Sequence, residues 1–122
     1  PFAPGGRLLL SSDNHNSVNG IREFATAKGA AVDYVPLSMP ELRLDRDAVE
    51  GMLRAGSAPV AGAAAADAPR RLFAFPAQSN FTGVKHSLEF VGLAHARGWD
   101  VLLDAAALVP TSMSVCGLPC GL

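Results

Sequence analysis

One short stretch constrains the fold more than any other: Gly98-Trp99-Asp100-Val101-Leu102-Leu103-Asp104-Ala105-Ala106-Ala107. Trp99, Val101, Leu102 and Leu103 form an apolar run suited to a strand buried on both faces of a parallel sheet. The run stops at Asp104, which puts a carboxylate where such a strand reaches the surface. Open α/β sheets bind ligands in the crevice at the carboxyl ends of their strands, so Asp104 is a candidate site residue. It serves equally well as a cap for the turn Ala105-Ala106-Ala107. Two earlier strands also end in polar clusters, Ser11-Ser12-Asp13-Asn14-His15-Asn16 and Gln78-Ser79-Asn80, and this recurrence favours a shared site.

The remaining punctuation alternates strand and helix. Arg7 to Ser12 reads as a strand, and Asp13 to Asn16 as the loop leaving it. Ser17 is placed to cap a helix running to about Lys28, with Val18, Ile21, Phe24 and Ala25 on one face. Gly29 ends it, and Ala31-Val32-Asp33-Tyr34-Val35 follows as a strand closed by Pro36. This is the βαβ unit. Pro40 to Leu44 reads as a connection. Asp45 caps a helix over Asp47–Ala55 carrying Val49, Met52 and Leu53, and Gly56–Pro69, rich in Ala, Gly and Pro, reads as a surface loop. A third strand covers Arg70 to Phe75, stopped by Pro76. The next helix spans Val84–Arg97, with Val84, Leu88, Val91 and Ala94 on one face, and Gly98 closes it. The expected class is α/β, a mostly parallel sheet built from βαβ units.

Bulk composition narrows the function. With 122 residues the chain is one domain at most, and 49% hydrophobic against 17% charged residues is a globular balance. The net charge is −1 and the ten basic residues are scattered, which argues against nucleic acid or an anionic membrane as partner. No apolar run approaches a membrane span, and no signal peptide opens the chain. Pro1 is not a translation start, so the chain is expected to be processed or part of something longer. Cys116 and Cys120 form a C-x-x-x-C pair without a second ligand pair, which reads as free thiols of an intracellular protein's tail.

Among the polar residues, His15 follows a strand directly and sits among hydrogen-bonding side chains. It reads as a base, a ring-stacking group or a loop-structuring histidine. Gln78, Ser79 and Asn80 make a dense donor and acceptor cluster, although asparagine also forms turns by itself. His86 and His95 are assigned to the third helix as surface or packing residues. Asp13 with Asp104 is a weak basis for a divalent cation site. No nucleophile elbow, phosphate-binding P-loop or dinucleotide glycine pattern occurs. On residues alone, the chain reads as a small α/β domain binding an anionic metabolite at its strand ends.

Three segments carry a family resemblance: Ser12 to Glu23, Phe75 to Lys85 with its core Pro76-Ala77-Gln78-Ser79-Asn80-Phe81-Thr82-Gly83, and Gly98 to Ala107. Together they resemble, in order and spacing, the N-terminal class V aminotransferase-like domain of molybdenum cofactor sulfurases, related to cysteine desulfurases. The resemblance covers Arg7 to Ser112, so residues 1–112 are expected to be a partial domain of that kind and 113–122 a non-matching tail. It implies the large domain of a pyridoxal phosphate (PLP)-dependent transferase. His15 is expected to stack on the cofactor's pyridine ring and act catalytically, Asn80 to reach the phenolic oxygen, and Asp104 to pair with the ring nitrogen. It implies L-cysteine as sulfur donor, an enzyme persulfide, and delivery to the molybdenum cofactor through a separate C-terminal domain, in a cytoplasmic protein with a homodimer as the candidate full-length assembly. Ala107 stands where cysteine desulfurases usually carry a polar residue, which favours the sulfurase branch. The family's phosphate-holding loop and Schiff-base lysine have no counterpart here. This chain alone is therefore expected to be inactive, and a non-catalytic remnant or partner-binding module is the alternative.

Overall fold

The structure, a computed structural model, describes residues 5–56, 70–79 and 81–106. Its strands are β1 (Arg7–Ser11), β2 (Ala31–Val35), β3 (Leu37–Ser38), β4 (Arg43–Leu44), β5 (Arg71–Pro76) and β6 (Asp100–Asp104). Its helices are α1 (Asn16–Asn19), α2 (Ile21–Ala27), α3 (Arg46–Gly56) and α4 (Glu89–Ala96). The principal sheet has the order β2-β1-β5-β6, with every pairing parallel. The mostly parallel α/β architecture expected from the alternating pattern is therefore the one found.

Side chains that alternate along β1 divide the core into two layers. Leu8 and Leu10 pack with Ala74 against Val18, Ala25 and Ala30, under α1 and α2. Leu9 packs on the other face with Phe73, Phe75 and Leu103, against Val49 and Leu53 of α3 and Phe90 and Ala94 of α4. Phe73 and Phe75 stack with ring centroids 5.0 Å apart, and Phe75 meets Phe90 edge-on at 5.9 Å. Each such aromatic pair contributes about 0.5–1.5 kcal/mol beyond its buried area. Trp99 is buried and donates its indole N–H to the Leu53 carbonyl at 3.1 Å, fastening the end of α3 to the entry of β6.

This topology positions the site. From β1 the chain steps outward to β2 by way of α1 and α2. From β5 it steps outward in the opposite direction to β6, by way of α4 on the other face. The sheet therefore changes winding direction between β1 and β5, and the crevice above their carboxyl ends is where such sheets bind ligands.

Several local expectations are corrected. The first helix is two pieces jointed at Gly20, and its cap is His15, not Ser17: the Ser17 N–H donates to His15 Nδ1 at 3.2 Å. Phe24 is 73% exposed and so stands off the buried face, which the small Ala25 occupies instead. The Pro40–Leu44 connection contains a strand, β4, pairing antiparallel with β3 around a turn in which Leu42 has φ 57°. Helix α4 begins at Glu89, not Val84. Residues 84–86 are held extended, because Ser79 N–H donates to the Val84 carbonyl and His86 N–H to the Ala77 carbonyl, both at 2.9 Å. Pro76 is the last residue of β5 and not a stop before it. Asp45 does cap α3, accepting from the Ala48 N–H at 3.0 Å. Gly29 and Gly98 close α2 and α4 at φ 80° and 79°, a conformation that L side chains rarely adopt. Residues 57–69 of the expected surface loop, and the tail with Cys116 and Cys120, lie outside the described residues.

Candidate functional site

The exits of β1, β5 and β6 stand level at one edge. Leu10 is in register with Ala74, and Pro76 with Asp104. Ala77 N–H donates to the Asp104 carbonyl at 2.8 Å, so the loop leaving β5 is tied to the end of β6. His15 and Asp104, two of the three expected site residues, thus stand at the same carboxyl edge. Asn80 lies outside the described residues.

His15 is exposed and held by its capping role. Its Nδ1 accepts the Ser17 N–H and lies 2.9 Å from Ser17 Oγ. With Nδ1 accepting, the proton of the neutral ring sits on Nε2. Asp104 is half-buried, and its Oδ1 accepts the Ala106 N–H at 3.0 Å. It does cap the turn that follows, and that bond fixes the orientation of its carboxylate.

Between β1 and β5 the edge is fastened by Asn14, 1% exposed. Its Nδ2 donates to the carbonyls of Ser11 and Ala74, each at 3.0 Å, bridging β1 to β5. Its Oδ1 is buried with no partner among the described residues, as are Asn19 Oδ1 and Gln78 Oε1.

His86 is placed differently from expectation. It lies on no helix, is buried, and its Nε2 sits 2.6 Å from Asp13 Oδ2. The Leu44 N–H donates to its Nδ1 at 3.5 Å, leaving the ring proton on Nε2 to be donated to Asp13. Asp13 Oδ1 accepts from Ser11 Oγ at 2.8 Å. Burial pushes the Asp13 carboxyl up, but the hydrogen bonds from His86 and Ser11 outweigh it and hold the group below the ordinary carboxylate value. Asp13 therefore faces His86 and not Asp104, and among the described residues no cluster suited to a metal ion occurs. No local signal marks this pair, whose members are 73 residues apart. His95 is exposed on α4, as expected. A cavity of about 230 Å³ lies at the other, amino end of the sheet, lined by Arg7, Leu9, Asp33, Met52, Gly56 and Trp99 among others, away from the polar edge.

The fold is that of cysteine desulfurases and related PLP-dependent transferases. A cysteine desulfurase from Escherichia coli superimposes with a TM-score of 0.65 at 24% identity, covering 86% of this chain and 23% of that one. Another from Thermococcus onnurineus does so at 0.66 and 22% identity, with the same coverage. SPT, solved with a PLP internal aldimine, gives 0.60 at 21% identity and covers 86% of this chain and 22% of that one.

In sequence the chain is a homologue of one segment of the molybdenum cofactor sulfurases. It is 30% identical to the Arabidopsis thaliana protein of that name over 143 residues, covering 93% of this chain and 17% of the plant protein. The Bos taurus protein is 32% identical over 121 residues (92% and 12%), and the Danio rerio protein 33% over 119 (89% and 13%). The chain thus spans less than a fifth of the length of these curated relatives. No protein-family model matches it. Among the described residues no helix is long and apolar enough to cross a membrane.

Proposed function

We propose that this chain supplies part of the PLP site of a cytoplasmic molybdenum cofactor sulfurase, an enzyme taking sulfur from L-cysteine and transferring it to the molybdenum cofactor. One observation carries the reading: β6 runs parallel to β5 and ends at Asp104, on the sheet edge that also carries His15. The donor set suits the cofactor. A pyridine ring presents a flat face, which an imidazole covers, and a basic nitrogen, which a carboxylate keeps protonated. When bound, PLP supplies an electron sink for the substrate bond being broken.

On this reading Asp104 pairs with the ring nitrogen, with the Ala106 N–H holding one carboxylate oxygen so that the group keeps a single orientation. His15 covers the ring face and moves a proton through Nε2, its Nδ1 being committed to Ser17. Asn80 reaches the phenolic oxygen. The homology to molybdenum cofactor sulfurases supports L-cysteine as donor and the molybdenum cofactor as acceptor.

In the protein that carries this segment, Asp104→Ala and Asp104→Asn lower sulfide release from L-cysteine by orders of magnitude, because the protonated ring nitrogen is lost. His15→Ala costs less, since a stacked ring contributes positioning as well as proton transfer. Near-normal desulfuration by the Asp104→Ala enzyme overturns the assignment.

A further inference from the structure

The buried Asp13–His86 pair makes no hydrogen bond to His15 or Asp104, yet it joins the loops that leave β1 and β5 at the carboxyl edge. The first loop, leaving β1, carries Asp13, Asn14 and His15. The second, leaving β5, closes on itself. Ser79 N–H bonds the Val84 carbonyl at 2.9 Å, Gly83 N–H the Ser79 carbonyl at 3.0 Å, and Ser79 Oγ accepts from the Phe81 and Thr82 N–H groups. These bonds tie residue 79 to residues 81–84, and their pose relative to the sheet depends on a few attachments. His86 is one of them. Its backbone N–H bonds Ala77, its Nδ1 takes the Leu44 N–H, and its Nε2 reaches Asp13 in the first loop. Asp13 is anchored in turn to Ser11 at the end of β1. Both side chains are almost wholly enclosed, 1% and 3% exposed, so water does not compete for the bond.

A buried ion or charge-assisted pair contributes little net stability over an apolar pair of the same size, but it demands one geometry. We infer that Asp13 and His86 are a positioning pair that holds the two carboxyl-edge loops, and so the groups they carry, at a fixed separation. The role deepens the cofactor reading and rests on it for its catalytic meaning, while the coupling between loops is testable by itself.

The test is nuclear magnetic resonance of the isotope-labelled chain. In the wild type the His86 ring shows an unprotonated Nδ1 and an Nε2 proton far downfield and slow to exchange. Asp13→Ala and His86→Ala each lower amide-exchange protection by about tenfold or more at Ser79 and Gly83 of the second loop and at Val18 and Asn19, the α1 residues whose N–H groups bond the His15 carbonyl of the first. The strand amides of Leu9 and Phe73 keep theirs. His86→Gln, whose amide reaches the Nε2 position, restores protection to within about threefold of wild type. Loss confined to the loop that carries the substitution overturns the inference, and so does a glutamine variant that behaves like alanine. Should both alanine variants fail to fold, the wild-type ring proton and His86→Gln decide. A PLP titration of the whole protein that carries this segment, run beside the exchange measurement, separates the two readings. Absence of PLP binding counts against the cofactor site and leaves the exchange result standing, whereas uncoupled loops with intact PLP binding overturn the pair alone.

Discussion

Asn14→Asp strikes the carboxyl edge where it is most firmly fastened. The substitution is nearly isosteric, but it replaces the Nδ2 donor with an oxygen facing the carbonyls of Ser11 and Ala74, each 3.0 Å away. Two hydrogen bonds of about 1 kcal/mol each are lost. An unpaired carboxylate at a site 1% exposed adds about 3 kcal/mol or more. The cost at neutral pH is thus about 5 kcal/mol, a large part of the ~5–15 kcal/mol that holds a domain of this size together. Protonation relieves most of it, because a carboxylic O–H again donates to one carbonyl. The introduced carboxyl therefore has a raised folded-state pKa. The variant keeps its stability below the unfolded value of about 3.9 and loses it as pH rises toward the folded one. Urea midpoints followed by circular dichroism between acid and neutral pH measure this directly. A variant whose midpoint matches wild type at neutral pH, or does not fall as pH rises, refutes the reasoning.

Asp13 gives the wild-type chain the opposite slope. Its carboxyl is held below the ordinary value of 3.8, so its contribution is present above that pH and fades as pH falls through the lower folded-state value; Asp13→Asn flattens that acid limb in a urea series. Gly56→Ala drives a methyl group to 2.4 Å from Cζ2 of the buried Trp99 ring. It lowers thermal stability by about 1–3 kcal/mol, despite alanine's helix propensity gain of about 1 kcal/mol, and an unchanged Tm refutes the overpacking. Incubated with PLP and reduced with borohydride, the chain gives no stoichiometric pyridoxyl adduct by mass spectrometry at Lys28. That residue caps the end of α2 remote from the carboxyl edge, and a full adduct there contradicts the placement of the site.

Where punctuation was local, the chain could be read. Ala31–Val35 stands between Gly29 and Pro36, and its strand has those bounds. Asp104 announced itself by ending an apolar run, and the parallel pairing of β6 followed from the βαβ alternation. What distant partners decide was hidden. The start of α4 moved to Glu89 because Ala77 and Ser79 claim the backbone of residues 84–86. The two-residue strands β3 and β4 are too short to show a period. Phe24 fits the helical spacing, but the layer beneath α2 is built from small residues such as Ala25, Ala30 and Ala74 and leaves it outside. The Asp13–His86 bond joins residues that no pattern in the sequence relates.

The position of β1 in the sheet sets an order of events as the chain is made. Its first neighbour, β2, arrives within about thirty residues, since Arg7 pairs with Ala31, and this βαβ unit closes a short loop. Its second neighbour is Arg71 onward, and the strand bearing Asp104 comes later still. Distant parallel pairings close large loops before any contact rewards them, which makes them slow. Until β5 docks, one side of β1 has no strand beside it, and Asn14 has no Ala74 carbonyl to bond. The carboxyl edge that carries both His15 and Asp104 is therefore among the last features of this segment to form. A chain halted before β6 carries His15 on that edge without Asp104.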